Sequence, residues 1–171
     1  MTDRVNKIVT HSPDETKRLA ANFASNLKPG DVLALEGELG SGKTQFVQGL
    51  ARGLGVPEDR YVRSPSFILL NEYRGSLSLY HFDFYRLHNP SELDDLGLEE
   101  YFDGKGITVI EWADRFPGAL PKRTIHIEFE IIDENRRAIE IHMINSKHEI
   151  RNTKQIRNPK SKCSKLQVSD I

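Results

Sequence analysis

The sequence predicts an α/β fold, a single domain with a mostly parallel central sheet, flanking helices and a C-terminal antiparallel hairpin. Three observations carry that expectation. The apolar run "DVLALEG" passes through a glycine-rich turn into "KTQFVQGLARGLG", whose Phe46, Val47, Leu50, Ala51 and Leu54 share one helical face. Two further runs, "LSLYHFD" and "GITVIE", read as strands that each close on an acid. Finally, Ile125, Ile127, Phe129 and Ile131, then Ile139, Ile141 and Met143, alternate with polar residues on either side of "DENRR", the period-two pattern of a half-exposed hairpin.

The elements follow in order. "HSPDETKRLAANFASNL" opens with Ser12 as a cap, Pro13 in the first turn and Glu15 completing an S-x-x-E box. Leu19, Phe23 and Leu27 recur at helical spacing, and Gly30 is the expected stop. "RYVRSPSFILLNEY" reads as a loop entering a strand, and "NPSELDDLGLEEYFDG" as helix in pieces interrupted by Gly97. Internal repeats and a second domain are not visible. The domain is expected to span residues 1–146.

Composition narrows the class. Among 171 residues, 37% are hydrophobic and 29% charged, ordinary for a soluble globular chain. No apolar run reaches the ~18 residues of a membrane span, and "MTDRVNKIVT" lacks the apolar core of an export signal. The lone Cys163 allows no internal disulfide and no cysteine metal cluster, so a cytoplasmic location is expected. The net charge of −1 divides unevenly. Residues 147–171 carry seven Lys/Arg against two acids, are poor in apolar residues and read as a disordered basic tail. Such a tail suits sequence-independent contact with RNA phosphates, whereas the acidic body argues against a broad nucleic-acid-binding face.

Between the first buried strand and its helix, "GELGSGKT" (Gly37, Glu38, Leu39, Gly40, Ser41, Gly42, Lys43, Thr44) matches G-x-x-x-x-G-K-[ST] in full. Glycines let backbone N–H groups converge on phosphate oxygens where a side chain would obstruct them. The helix N-terminus adds partial positive charge. Lys43 is placed for the β- and γ-phosphates and the Thr44 hydroxyl for Mg²⁺. This is the signature of a P-loop NTPase-like domain.

Mg²⁺ needs a second anchor, and the strand-end acids Asp83 and Glu111 are the candidates. One would serve the metal and the other the attacking water; spacing alone leaves the assignment open. A guanine-reading N-K-x-D motif is missing, which favours ATP over GTP. An arginine-bearing lid of the small-molecule kinase type is not apparent either, although kinase and non-catalytic binding-module readings remain as alternatives.

In this order and at these separations, "GELGSGKTQF", "VRSPSF", "YHFDFYRL", "DLGLEEYF" and "IEWADR" resemble the bacterial TsaE (YjeE) family, small ATPases required for making threonylcarbamoyladenosine beside the tRNA anticodon. The resemblance runs from about Ser12 to Met143. It implies that the phosphate loop holds ATP, that Thr44 and Glu111 hold Mg²⁺, and that Asp83 serves hydrolysis. It implies further that Trp112 lies beside the nucleotide, that Arg137 reaches it, and that the region of Ser12 borders the adenine. Ser64-Pro65-Ser66 corresponds to a switch-like segment. The implied partners are a TsaD–TsaB pair that transfers the threonylcarbamoyl group, with tRNA reached through that complex and direct tRNA contact left open. The ATPase is expected to reset the pair between turnovers. Ser66 stands where the family usually has threonine, Ser41 replaces a common alanine and Phe84 a usual leucine. The basic tail has no counterpart in the resemblance.

Overall fold

Residues 4–143, apart from 59, 61, 66–68 and 95, are described by a computed structural model. The expected tail at 147–171 and Ser66 lie outside the described residues. In chain order the elements are β1 (Arg4–Thr10), α1 (Pro13–Ala24), β2 (Val32–Gly37), α2 (Lys43–Gly53), β3 (Leu70–Tyr73), β4 (Ser78–Asp83), α3 (Ser91–Asp94), α4 (Glu99–Phe102), β5 (Gly106–Glu111), β6 (Ile125–Ile131) and β7 (Arg137–Met143).

Among the described residues the strands form one seven-stranded sheet in the order β1-β7-β6-β2-β5-β4-β3. The sheet is mixed, which corrects the mostly parallel expectation. Pairings β2–β5, β2–β6 and β4–β5 are parallel, whereas β1–β7, β6–β7 and β3–β4 are antiparallel. Connection length explains the difference. A few residues join β3 to β4 and β6 to β7, which allows only reversal, while the long crossovers into β5 and β6 bring the chain back in the same direction. The terminal hairpin is thus not an appendage, because β6 pairs along β2 from Leu33↔Ile125 to Gly37↔Phe129.

Alternate residues of β2 feed two cores. Leu33 and Leu35 pack with Phe23, Phe46, Leu50 and Val109 beneath α1 and α2. Val32 and Ala34 pack on the other face with Phe82, Phe84, Leu87 and Ile110. Phe84, where leucine is usual, is fully buried and meets Phe82 and Phe116 edge-on. Burial on both faces explains why β2 reads as a continuous apolar run.

Helices α1 and α2 approach closely because α2 presents glycine where they touch. A Cβ at Gly49 would lie 2.3 Å from the Lys17 carbonyl oxygen and 2.7 Å from the Ala20 Cβ, and one at Gly53 would lie 2.5 Å from the Ala21 oxygen. The contact fixes the seat of α2, whose first turn carries Lys43 and Thr44.

Helix α1 starts where the sequence says it should. The Ser12 hydroxyl accepts from the Glu15 N–H at 3.2 Å, and the Glu15 carboxylate accepts from the His11 N–H at 2.7 Å. It ends earlier than expected, at Ala24, with Ser25 as cap; Leu27 still reaches the core from the following turn. Strand β1 is an addition to the sequence reading. No described helix is long and apolar enough to cross a membrane.

Candidate functional site

The glycine-rich turn runs from Gly37, the last residue of β2, to Gly42 at the N-terminus of α2. Two of its glycines are required by geometry. Gly37 has φ of 139°, and a Cβ there would stand 2.5 Å from the Phe129 oxygen on neighbouring β6. Gly42 caps α2 at φ 103° with no side-chain hydrogen bond, which leaves the first-turn N–H groups of α2 available to a ligand. Ser41 is fully buried, while Glu38, Leu39 and Gly40 face solvent.

Lys43 folds back over this turn. Its Nζ donates to the Gly37 oxygen at 2.7 Å and the Glu38 oxygen at 2.8 Å, and lies 3.9 Å from the centre of the Trp112 ring. Burial pushes its pKa down, partly offset by the Glu111, Asp114 and Asp83 carboxylates. Trp112 has φ of 60° and is the one non-glycine residue of positive φ among the described residues. This turn, directly after Glu111, lays the indole across the lysine and within 4.9 Å of the Tyr85 ring.

The sheet brings Thr44 and Glu111 together. The Thr44 hydroxyl is 3.0 Å from each Glu111 carboxylate oxygen. The Ser64 hydroxyl is 2.9 Å from both Thr44 Oγ1 and Glu111 Oε1, and His81 Nε2 donates to Glu111 Oε1 at 2.9 Å. Glu111 is only 3% exposed. Burial alone would raise its pKa, but the His81, Ser64 and Thr44 donors outweigh burial and hold it below the usual glutamate value. A buried carboxylate kept ionised beside two hydroxyls is a hard-oxygen donor set, suited to a hard divalent cation that retains some of its waters.

Asp83 is the register partner of Glu111 across the parallel β4–β5 pair. Its Oδ1 accepts the Tyr85 N–H at 2.9 Å. Burial raises its pKa, and the nearby Glu111 charge adds to the rise. Beside it lies a cavity of about 140 Å³ lined by Pro65, Leu69, Asp83, Tyr85 and Arg86. That is ample for ordered water, which needs roughly 10–15 Å³ per molecule.

Arg137 reaches the turn from the far side. At the start of β7, its Nη2 donates to the Gly40 oxygen at 3.2 Å and its Nη1 to the Asp133 oxygen at 2.7 Å. The hairpin turn that holds it is braced by Asp133, whose pKa is lowered to about 2 by the Arg136 guanidinium and by backbone N–H groups of Arg136 and Asn135. Arg137 pairs in register with Thr10 of β1, so Ser12, two residues on, sits near the same rim. The Ser12 hydroxyl is engaged in capping α1.

Sequence reasoning did not select His81 or Ser64 as site residues. His81 had a legible signal, being a polar residue two positions before Asp83 and therefore on the same strand face. Ser64 was placed by the resemblance in a switch-like segment, but without a role in the carboxylate cluster.

This constellation defines the class first, an α/β domain with a glycine-rich strand-to-helix turn and a buried carboxylate–hydroxyl cluster at its sheet edge. Residues 10–139 match the model of the TsaE family, described as threonylcarbamoyl adenosine biosynthesis protein TsaE. A tRNA threonylcarbamoyladenosine biosynthesis protein TsaE of Bacillus subtilis (strain 168) is 44% identical over 142 residues, covering 82% of this chain and 87% of that protein. The same-named protein of Treponema pallidum (strain Nichols) is 39% identical over 135 residues, covering 79% and 98%. A crystal structure of Bacillus subtilis YdiB superposes with a TM-score of 0.73 at 38% identity, covering 86% of this chain and 91% of that one. The chain belongs to the TsaE family, whose role is in threonylcarbamoyladenosine biosynthesis.

Proposed function

We propose that this protein is a Mg²⁺-dependent ATPase of the P-loop type that serves threonylcarbamoyladenosine formation on tRNA by acting on a TsaD–TsaB pair and resetting it between turnovers. One observation carries the chemical part. At the N-terminus of α2, the Thr44 hydroxyl stands 3.0 Å from a buried, ionised Glu111. The family and the names of its relatives support the pathway.

Each side chain then has a task. Backbone N–H groups of residues 38–44 and the α2 N-terminus hold the phosphates, which takes Lys43 from its carbonyl partners to the β- and γ-phosphate oxygens. Thr44 and Glu111 hold Mg²⁺, which when bound neutralises developing phosphate charge. Asp83, beside a cavity of about 140 Å³, orients the attacking water or accepts its proton. A carboxylate with a raised pKa is the better acceptor. Trp112 covers the lysine side, and Arg137 secures the turn at Gly40. Ser64 ties the cation cluster to the segment that includes Pro65. Loss of the γ-phosphate changes what that cluster binds, and the segment transmits the change to the partner pair.

The test uses γ-labelled ATP with the protein alone and with a TsaD–TsaB pair. Label released as inorganic phosphate, slowly alone and faster with the pair, supports the proposal. Transfer of label to a small organic acceptor overturns it. In cells, depletion of this protein is expected to lower threonylcarbamoyladenosine in bulk tRNA, read by mass spectrometry.

A further inference from the structure

Glu111 is held by three donors of different mechanical character. Thr44 and Ser64 offer hydroxyls, each with a single proton and a freely turning C–O bond. A cation held by Thr44 and Glu111 takes a lone pair of the threonine hydroxyl, and either hydroxyl proton is free to turn to another acceptor. His81 cannot move in this way. It is fully buried on β4, and its strand is tied to β5 by a parallel ladder in which His81↔Val109 and Asp83↔Glu111 are partners. The His81 Nε2–H contacts Oε1 at 2.9 Å, and its Nδ1 has no hydrogen-bond partner among the described residues. The imidazole therefore has one polar task in this environment, and it is aimed at one oxygen of one carboxylate.

We infer that His81 is a positioning residue for the metal acid, clamping Glu111 Oε1 so that Oε2 stays turned toward Thr44 and the divalent cation. This rests on the reading above that Thr44 and Glu111 hold the cation. The division of labour is visible in the distances. Oε1 receives His81 and Ser64 at 2.9 Å and Thr44 at 3.0 Å, while among the described residues Oε2 meets only Thr44, at 3.0 Å. Without the imidazole, Glu111 keeps its negative charge but loses the one donor whose direction is fixed by the sheet, and gains rotational freedom. The effect falls on cation affinity more than on nucleotide affinity, because the phosphate-binding turn does not touch His81. Outer partners that orient metal ligands typically contribute about 10–100-fold in metal affinity or activity.

The experiment measures Mn²⁺ binding by electron paramagnetic resonance in the presence of a non-hydrolysable ATP analogue. Cation-free affinity for the analogue is followed in parallel by fluorescence of Trp112, the single tryptophan. Three variants are compared with the parent. His81→Phe keeps a buried ring without the donor. His81→Gln can place an amide N–H near the Nε2 position. His81→Asn, one methylene shorter, cannot. Mn²⁺ affinity is expected to fall about tenfold in the Phe and Asn variants, to remain within about threefold of the parent in the Gln variant, and cation-free affinity to change little in all three. Should the Phe variant not fold, the Asn and Gln variants carry the comparison. Equal loss in those two overturns the inference, because packing then explains it, and so does parent-like affinity in the Asn variant. Absence of Mn²⁺ binding by the parent itself overturns the underlying metal reading, a result distinct from the other two.

Discussion

Gly49 sets how closely α2 can sit against α1, and its substitution by alanine sets two effects of known size against each other. Alanine is the better helix former by about 0.8–1.0 kcal/mol. Against this, the new methyl would lie 2.3 Å from the Lys17 carbonyl oxygen, 2.7 Å from the Ala20 Cβ and 2.8 Å from the Lys17 Cα. Two of those three neighbours are backbone, so no side chain can swing aside. Restoring ordinary contact needs a separation of the helices by roughly 1 Å along much of their interface. Overpacking of this kind costs about 1–3 kcal/mol, and backbone contacts on this scale place Gly49→Ala at the upper end. The net expectation is a loss of about 2 kcal/mol after the propensity gain. At about 2–4 °C per kcal/mol for a chain of this size, the melting temperature falls by roughly 4–8 °C in a calorimetric scan. Adding Ala20→Gly removes the 2.7 Å contact but leaves the carbonyl contact, so the double variant recovers only part of the loss. An unchanged or higher melting temperature for Gly49→Ala would refute the reasoning, since propensity would then outweigh the clash.

Glu111→Gln is expected to lower Mg²⁺-dependent hydrolysis by at least about tenfold, with cation-free ATP affinity nearly unchanged; equal loss of both is the adverse result. Asp83→Asn is expected to abolish hydrolysis while ATP still binds. Because burial raises the Asp83 pKa in the folded state, the fold loses stability as pH rises from the ordinary aspartate value through the raised one. The Asn variant should therefore melt higher than the parent at neutral pH, and an equal or lower melting temperature counts against the assignment. Glu111 has the opposite sign, since its lowered pKa contributes stability above the ordinary glutamate value that is lost as pH falls through the folded one. On the proposed reading ATP draws Lys43 away from the Trp112 ring, 3.9 Å from its Nζ, so tryptophan emission is expected to change on titration with ATP in the parent. Lys43→Ala should show no such change.

The parts of the fold legible in the sequence are those whose pattern is imposed by burial. β2 and β5 lie between two cores and read as apolar runs, and the β6–β7 hairpin alternates because one face is open. β1 escaped notice because its pattern contradicts its position. As an edge strand it exposes Val5 and Val9 while Asn6 and Ile8 point toward the interior. Strand direction was illegible for another reason. Nothing local to "TIHIEFEII" says that it will lie parallel to β2, since that is a long-range pairing. In the site, the glycine-rich turn announced itself because its chemistry is consecutive in sequence. The roles of Asp83 and Glu111 were not separable by spacing, because both end strands at the same edge. Their contacts differ in the structure, as of the two acids only Glu111 meets Thr44. His81 was hidden inside a run read for hydrophobicity, and its importance emerges only when β4 and β5 are laid side by side.

That side-by-side register has a consequence for how the protein tolerates change. The two acids are separated by one inter-strand step, about 4.8 Å, and this spacing is maintained by main-chain ladder bonds that no substitution other than proline can remove directly. Residues gained or lost in the exposed stretches 88–91 and 103–105 lengthen or shorten a surface excursion. Deleting one residue inside β5, which is buried along its whole length, would turn Glu111 toward the Phe82 side of the sheet and part it from the threonine.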